Sequence, residues 1–181
     1  VLGRPLLSHT FDLLRSADIS EAAVNIHHLP NCIIDYFKNK KPSFLNIRFS
    51  REEKILGTAG GIKKMQSFLE SEPFILINGD IITDINLHSV IDFHKKRNSK
   101  LTLVVRQDSS LEQYDPIEIC EDGRIAHFIG ASSMNLPDNT TRVMFTGIQI
   151  VEPEIFDRIP SGRFYGTTED VFPQMVNDGI P

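Results

Sequence analysis

The chain has 181 residues, a net charge of −5 and 40% hydrophobic residues, enough for one domain of the usual size of about 100–200 residues and too apolar for a disordered chain. No apolar run approaches the roughly 20 residues that span a bilayer, and the acidic balance argues against a general nucleic-acid surface. Val1 to Leu7 lacks the charged head and long apolar stretch of a signal peptide, so a cytoplasmic protein is expected.

Pro5 to Arg15 reads as a helix with Leu6, Leu7, Leu13 and Leu14 on its buried side. Ala22 to Ile26 reads as a strand, Pro30 to Phe37 as a helix opened by proline, and Leu45 to Phe49 as a second strand. Gly57-Thr58-Ala59-Gly60-Gly61 reads as a loop into a helix carrying Ile62, Met65, Phe68 and Leu69 on one face. The continuous apolar run Phe74 to Ile77 has the pattern of a strand buried on both faces, and it ends at Asn78-Gly79-Asp80. Asn86 is placed to cap a helix over Leu87 to Lys96, in which His88 and His94 are expected at solvent or at the helix edge. Leu101 to Val105 is a further buried strand.

In the second half, Ile117 to Cys120 and Ile125 to Ile129 flank Asp122-Gly123, a strong hairpin signal. Arg142 to Val151 reads as a return strand, Glu154 to Arg158 as a short helix and Glu169 to Asn177 as another. The expectation is an α/β domain: one mixed sheet flanked by helices, with a small antiparallel insertion. The basic clusters at Lys38 to Lys41 and Lys95 to Arg97 fall at helix ends, where they complement the dipole. Cys32 and Cys120 form no CxxC pair and read as buried free thiols of a reducing compartment.

Four places could carry chemistry. Asn78-Gly79-Asp80 closes a buried strand, the end at which open α/β sheets bind ligands. Glycine there permits close approach, and the Asp80 carboxylate suits Mg²⁺, which takes carboxylate oxygens together with substrate phosphates. A turn in which Asp80 caps the next segment explains the tripeptide equally well. The small residues from Gly57 to Gly61 could offer backbone N–H groups to an anion or to a base edge, or could be a tight turn with close helix packing. They match neither Walker A nor GxGxxG, because Ile62 and Ala59 stand where glycines are required. Gly147 inside an apolar strand marks a bulge or a close ligand approach. Thr168 reads as an N-cap with Glu169 and Asp170 in the first helical turn, which explains both acids without a ligand. His27 and His28 read as structural histidines, and no Ser-His-Asp or Cys-His set is present.

Taken together, Gly3-Arg4-Pro5-Leu6-Leu7, Asn25-Ile26-His27-His28-Leu29, Leu56 to Gly61, Ile77 to Asp80, Phe145 to Ile148 and Glu169 to Pro173 resemble the sugar-1-phosphate nucleotidyltransferase family, near its mannose-1-phosphate guanylyltransferase branch. The resemblance implies a Rossmann-like fold of the glycosyltransferase-A type. It implies transfer of a nucleoside monophosphate from a triphosphate to a sugar-1-phosphate, with release of pyrophosphate. By carry-over Asp80 is the catalytic carboxylate and binds Mg²⁺. Gly57, Thr58, Ala59, Asn78 and Gly79 meet the nucleotide, and Gly147 and Glu169 meet the sugar. The implied partners are a nucleoside triphosphate and a sugar-1-phosphate, with no nucleic acid or membrane and with a homo-oligomer left open. The family's opening Gly-Thr-Arg loop, with its Arg and Lys, and its second metal aspartate in a Trp-x-Asp-x-Gly context are absent from residues 1–181. A single catalytic domain over 1–181, cut at both ends, is therefore expected. A non-catalytic regulatory protein of the same fold that binds nucleotide sugars is the alternative.

Overall fold

The computed structural model describes residues 1–108, 117–133 and 139–180. Its elements run α1 (Leu6–Ser16), β1 (Glu21–Ile26), α2 (Pro30–Asn39), β2 (Asn46–Arg51), α3 (Gly57–Lys64), α4 (Gln66–Leu69), β3 (Phe74–Ile77), α5 (Leu87–Arg97) and β4 (Leu101–Arg106). They continue with β5 (Ile117–Cys120), β6 (Ile125–Phe128), β7 (Ala131–Ser132), β8 (Thr140–Val151), a 3-10 turn (Pro153–Arg158), a π-helical turn (Thr167–Val171) and α6 (Phe172–Asn177).

Parallel and antiparallel pairing are both present, divided between two hydrogen-bonded sets. β1 pairs with β2 in parallel, Glu21 opposite Asn46 through Ile26 opposite Arg51. The other six strands form an antiparallel set organised on β8. β3 pairs with its carboxyl half, Phe74 opposite Val151 and Ile77 opposite Ile148. β4 lies along the other edge, Leu101 opposite Val151. β5 takes the amino half and carries the β6–β7 meander, the antiparallel insertion read from Asp122-Gly123.

β3 shows why a continuous apolar run was needed. Side chains alternate across a strand. Phe74 and Leu76 pack into a cluster with Phe128, Val151, Phe156, Phe172 and Met175. Ile75 and Ile77 pack into a second cluster with Phe11, Leu14, Phe37, Leu45 and Leu87. β8 divides likewise, Val151 to the first cluster and Ile148 to the second. On α1 Phe11 and Leu14 are buried and Leu7 and Leu13 pack half-buried beside them, so Phe11, absent from the sequence reading, is the centre of the stripe. Burying such a ring is worth about 1.5–3 kcal/mol.

Asn86 caps α5 as expected, its Oδ1 accepting from Ser89 N–H at 3.2 Å, and Lys95, Lys96 and Arg97 fall in the last turn. Four expectations need correction. Gly57 to Gly61 is not a loop before a helix: it is the first part of α3, and the helix breaks at Met65 before the short α4. Thr168 is not the N-cap of the last helix. The turn begins after Gly166, whose N–H is accepted by Asp170 Oδ2 at 2.7 Å, and Val171 N–H reaches back to Gly166 O in the π pattern. His94 is buried, with Nδ1 2.8 Å from Thr102 Oγ1 and Nε2 3.2 Å from Glu152 Oε1, because α5 lays that face on β4 and on the end of β8. Cys32 is exposed, since its helix buries Phe37 instead; Cys120 is buried as read.

Candidate functional site

The two hydrogen-bonded sets leave a cavity between them. Among the described residues β1 pairs only with β2, and β3 only with β8. Between β1 and β3 lies a cavity of about 680 Å³, walled by Leu7, Phe11 and Leu14 of α1, by Ile62 of α3, by Met65 at the break and by Phe68 of α4. Its lining is mostly apolar, with polar groups at both ends of the two strands, among them Asp18, Ser20, Glu21 and Glu72 at the amino ends. At the carboxyl ends stand Asn25 on β1, Asn78 and Gly79 after β3, and Thr58 with Gly61 on α3. Thr58 and Gly61 of the small-residue segment therefore share one cavity with Asn78 and Gly79 of the Asn-Gly-Asp turn, while Asp80 follows them outside its lining.

The α3 entrance is built by close approach to the segment before α6. Gly57 has φ +73°, and a Cβ there would stand 2.6 Å from the carbonyl oxygen of Tyr165. That oxygen accepts from Ala59 N–H at 3.0 Å and Gly60 N–H at 3.1 Å, while Tyr165 N–H donates to Leu56 O at 2.8 Å. Ala59 is fully buried in the first cluster. The close-packing reading of this segment thus accounts for Gly57 and Ala59, and two of the first amides of α3 are already satisfied inside the protein. Thr58 is exposed, and its Oγ1 accepts from Thr167 N–H at 2.8 Å and lies 2.9 Å from Thr167 Oγ1.

At the end of β3 the surroundings are open. Nothing lies within 4 Å of where a Cβ of Gly79 would be. Asp80 is exposed, and no hydrogen bond or ion pair ties its carboxylate to another described residue. It does not cap the segment that follows: there Thr83 Oγ1 accepts from Ile85 N–H at 3.2 Å. Among the described residues no group of three His, Cys, Asp or Glu side chains converges. A lone, unpaired carboxylate fits Mg²⁺, which borrows phosphate and water oxygens, rather than an all-protein cage.

Gly147 and Asn78 meet. Gly147 has φ +85°, and a Cβ there would lie 2.8 Å from Asn78 Nδ2, while Asn78 N–H donates to Gly147 O at 2.9 Å. The β4–β8 register shifts at this point, with Leu103 opposite Gln149 but Val105 opposite Phe145. Gly147 is therefore at a bulge that seats the Asn78 side chain. Glu169 is exposed on the π-helical turn, its carboxylate against Gly166. π-Helical turns recur at functional sites.

The sequence reading passed over Glu52. Its carboxylate is buried, accepting from Asn25 Nδ2 and from Leu56 N–H, each at 3.0 Å. It stands in Arg51-Glu52-Glu53-Lys54, whose other three members are exposed, so the local pattern gives no sign of burial. His27 is the satisfied structural histidine expected, with Nδ1 2.9 Å from Glu52 O.

Among solved structures, HddC from Yersinia pseudotuberculosis superposes with a TM-score of 0.77 at 21% identity, covering 95% of this chain and 73% of that one. A UDP-glucose pyrophosphorylase complexed with UDP-glucose gives a TM-score of 0.74 at 16% identity, covering 98% and 77%. The fold is thus the α/β nucleotidyltransferase fold. A UTP–glucose-1-phosphate uridylyltransferase of Synechocystis sp. is 29% identical over 100% of this chain and 50% of its own length. A mannose-1-phosphate guanylyltransferase of Mycobacterium tuberculosis is 26% identical over 98% and 48%. The chain spans about half the length of these curated relatives. The sequence pattern of the family described as "Nucleotidyl transferase" matches residues 1–181, and with the shared fold it establishes that this chain belongs to the nucleotidyltransferase family.

Proposed function

We propose that residues 1–181 form a single catalytic domain that transfers a nucleoside monophosphate from a triphosphate to a sugar-1-phosphate, releasing pyrophosphate. One observation carries the reading: Asp80, exposed and unpaired among the described residues, follows the open Gly79, which lines the cavity with Thr58 and Asn78. In this reading a sugar phosphate oxygen attacks the α-phosphorus in line. The protein supplies no nucleophile; it positions two substrates and stabilises charge.

Asp80 would hold Mg²⁺, which when bound would offset the negative charge that develops during transfer. Thr58, Asn78 and Gly79 lie against the nucleotide, and Gly57 and Ala59 serve it by letting α3 approach the backbone of Tyr165. Gly147 shapes the sugar side by seating Asn78, and Glu169 stands at its rim. Names of relatives support both GTP with mannose-1-phosphate and UTP with glucose-1-phosphate, and the guanylyl pairing is our choice on the motif resemblance. Among the described residues no helix is long and apolar enough to cross a membrane. With the two free thiols, this supports a cytoplasmic setting.

The test is a pyrophosphate-release panel over four triphosphates and several sugar-1-phosphates, with and without Mg²⁺. Metal-dependent release on at least one pair is expected. Nucleotide-sugar binding without release on any pair would replace the enzyme with the regulatory reading. Neither binding nor release would end both.

A further inference from the structure

Glu52 is an acidic side chain where the fold has little use for a charge. It is 4% exposed. No ion pair joins it to a Lys, Arg or His among the described residues, and the donors its carboxylate meets are neutral: Asn25 Nδ2 and the Leu56 N–H. Burying a charge without a countercharge is unfavourable, and an amide of the same shape could bond the same two positions. Besides its charge, the carboxylate differs from that amide in its hydrogen bonding: it accepts at both oxygens and donates at neither.

That property acts on Asn25. Facing an acceptor-only group, the Asn25 amide must turn its NH₂ toward Glu52 Oε1, which leaves its carbonyl oxygen for other partners. Asn25 lines the cavity, and no hydrogen bond to that oxygen is formed among the described residues. Room for the pair comes from Gly61, where a Cβ would lie 2.7 Å from Asn25 Nδ2 and 3.1 Å from Glu52 Oε1. The other oxygen of Glu52 holds Leu56 N–H at the entrance of α3, one residue before Gly57. Leu56 O in turn accepts from Tyr165 N–H.

We propose that Glu52 is a positioning residue for the cavity: it fixes Asn25 as a hydrogen-bond acceptor toward an N–H or O–H donor on the nucleoside part of a bound triphosphate, and it pins the start of α3 beside it. The proposal rests on the cavity being the nucleotide pocket. In Glu52→Gln, the Gln Oε1 keeps Leu56 N–H and its NH₂ faces Asn25. Asn25 then turns its amide over, and its NH₂ is offered to the cavity in place of its carbonyl. The fold is kept while the hydrogen-bonding polarity of the pocket wall is reversed.

Two measurements on the 181-residue chain test this. Without ligand, nitrogen-15 NMR follows hydrogen exchange of the Asn25 side-chain NH₂ and of the Leu56 amide. E52Q should speed the Asn25 NH₂ exchange by about tenfold or more and leave Leu56 protected. Equal Asn25 exchange in parent and E52Q would overturn the positioning role whether or not any nucleotide binds. With Mg²⁺ and each of ATP, CTP, GTP and UTP, E52Q should change the ratio of affinities for at least one pair by about tenfold, with the melting temperature held. Unchanged ratios with Asn25 turned over would overturn the recognition role. A parent chain that binds none of the four would instead refute the nucleotide pocket, with the exchange result still deciding how Glu52 acts on Asn25. If E52Q does not fold, Asn25→Ala carries the test: affinity should fall with Leu56 protection intact, and unchanged affinity would overturn the proposal.

Discussion

Replacing Gly57 by alanine should cost this chain about 2–4 kcal/mol of stability, and the contributions can be followed atom by atom. At φ +73° an L residue sits in the left-handed region at a cost of about 1–2 kcal/mol. The new methyl would stand 2.6 Å from the Tyr165 carbonyl oxygen and 3.0 Å from its carbon. That obstacle is backbone, so it cannot rotate away. It can retreat only by stretching the bonds it accepts from Ala59 and Gly60, each worth about 1 kcal/mol. For a chain of this length the melting temperature should drop by roughly 5–15 °C. Gly79→Ala is the control, because nothing lies within 4 Å of its Cβ position and its φ is not positive; its change should stay within about 0.5 kcal/mol. Urea unfolding read by circular dichroism measures both. A Gly57→Ala midpoint equal to that of the parent, or equal losses in the two variants, would refute the reasoning.

Asp80→Asn should leave the melting temperature within about 2 °C, since no described residue depends on that carboxylate, and should lower Mg²⁺-dependent affinity for triphosphate by about tenfold or more; calorimetry showing undiminished affinity would count against Asp80 as the metal residue. Asp122 is held below its ordinary value of 3.8 by the Arg124 N–H on its Oδ1, then by the Arg124 guanidinium on its Oδ2. Because the folded pKa is the lower one, its stabilisation is complete above 3.8 and is lost as pH falls through the depressed value. Asp122→Asn should therefore melt below the parent at neutral pH, with the gap closing under acid; a constant gap would contradict this. The exposed Cys32 should react with a thiol reagent in the native protein and the buried Cys120 only on unfolding. Equal native rates would contradict the burial.

Much of the fold was legible because short-range chemistry wrote it. Asn86 announced a cap, Asp122-Gly123 a hairpin, and Phe74 to Ile77 a strand, which packs on both faces though its four residues are half-buried rather than buried. His94 and Glu52 were not legible. Each is polar within a polar stretch, and its burial depends on a partner far along the chain: Glu152 for one, Asn25 for the other. The same holds for Gly57 to Gly61, whose glycines looked like a ligand loop. Gly57 and Gly60 meet the backbone of Arg163 and Tyr165, about a hundred residues on, and Gly61 meets Asn25 and Glu52, which no local pattern could reveal.

The sequence by itself determined the α/β class, the order of the elements and the candidates Thr58, Asn78, Gly79, Asp80 and Gly147, because periodicity, caps and turn residues act over a few bonds. Only the tertiary structure decided which of those groups stand free and which are consumed by packing. It left Asp80 unpaired and Gly79 open, yet spent the amides of Ala59 and Gly60 on a carbonyl and set Gly147 against Asn78. The physical reason is that hydrogen-bond satisfaction in a folded protein is settled through space, by whatever group the chain brings within about 3 Å.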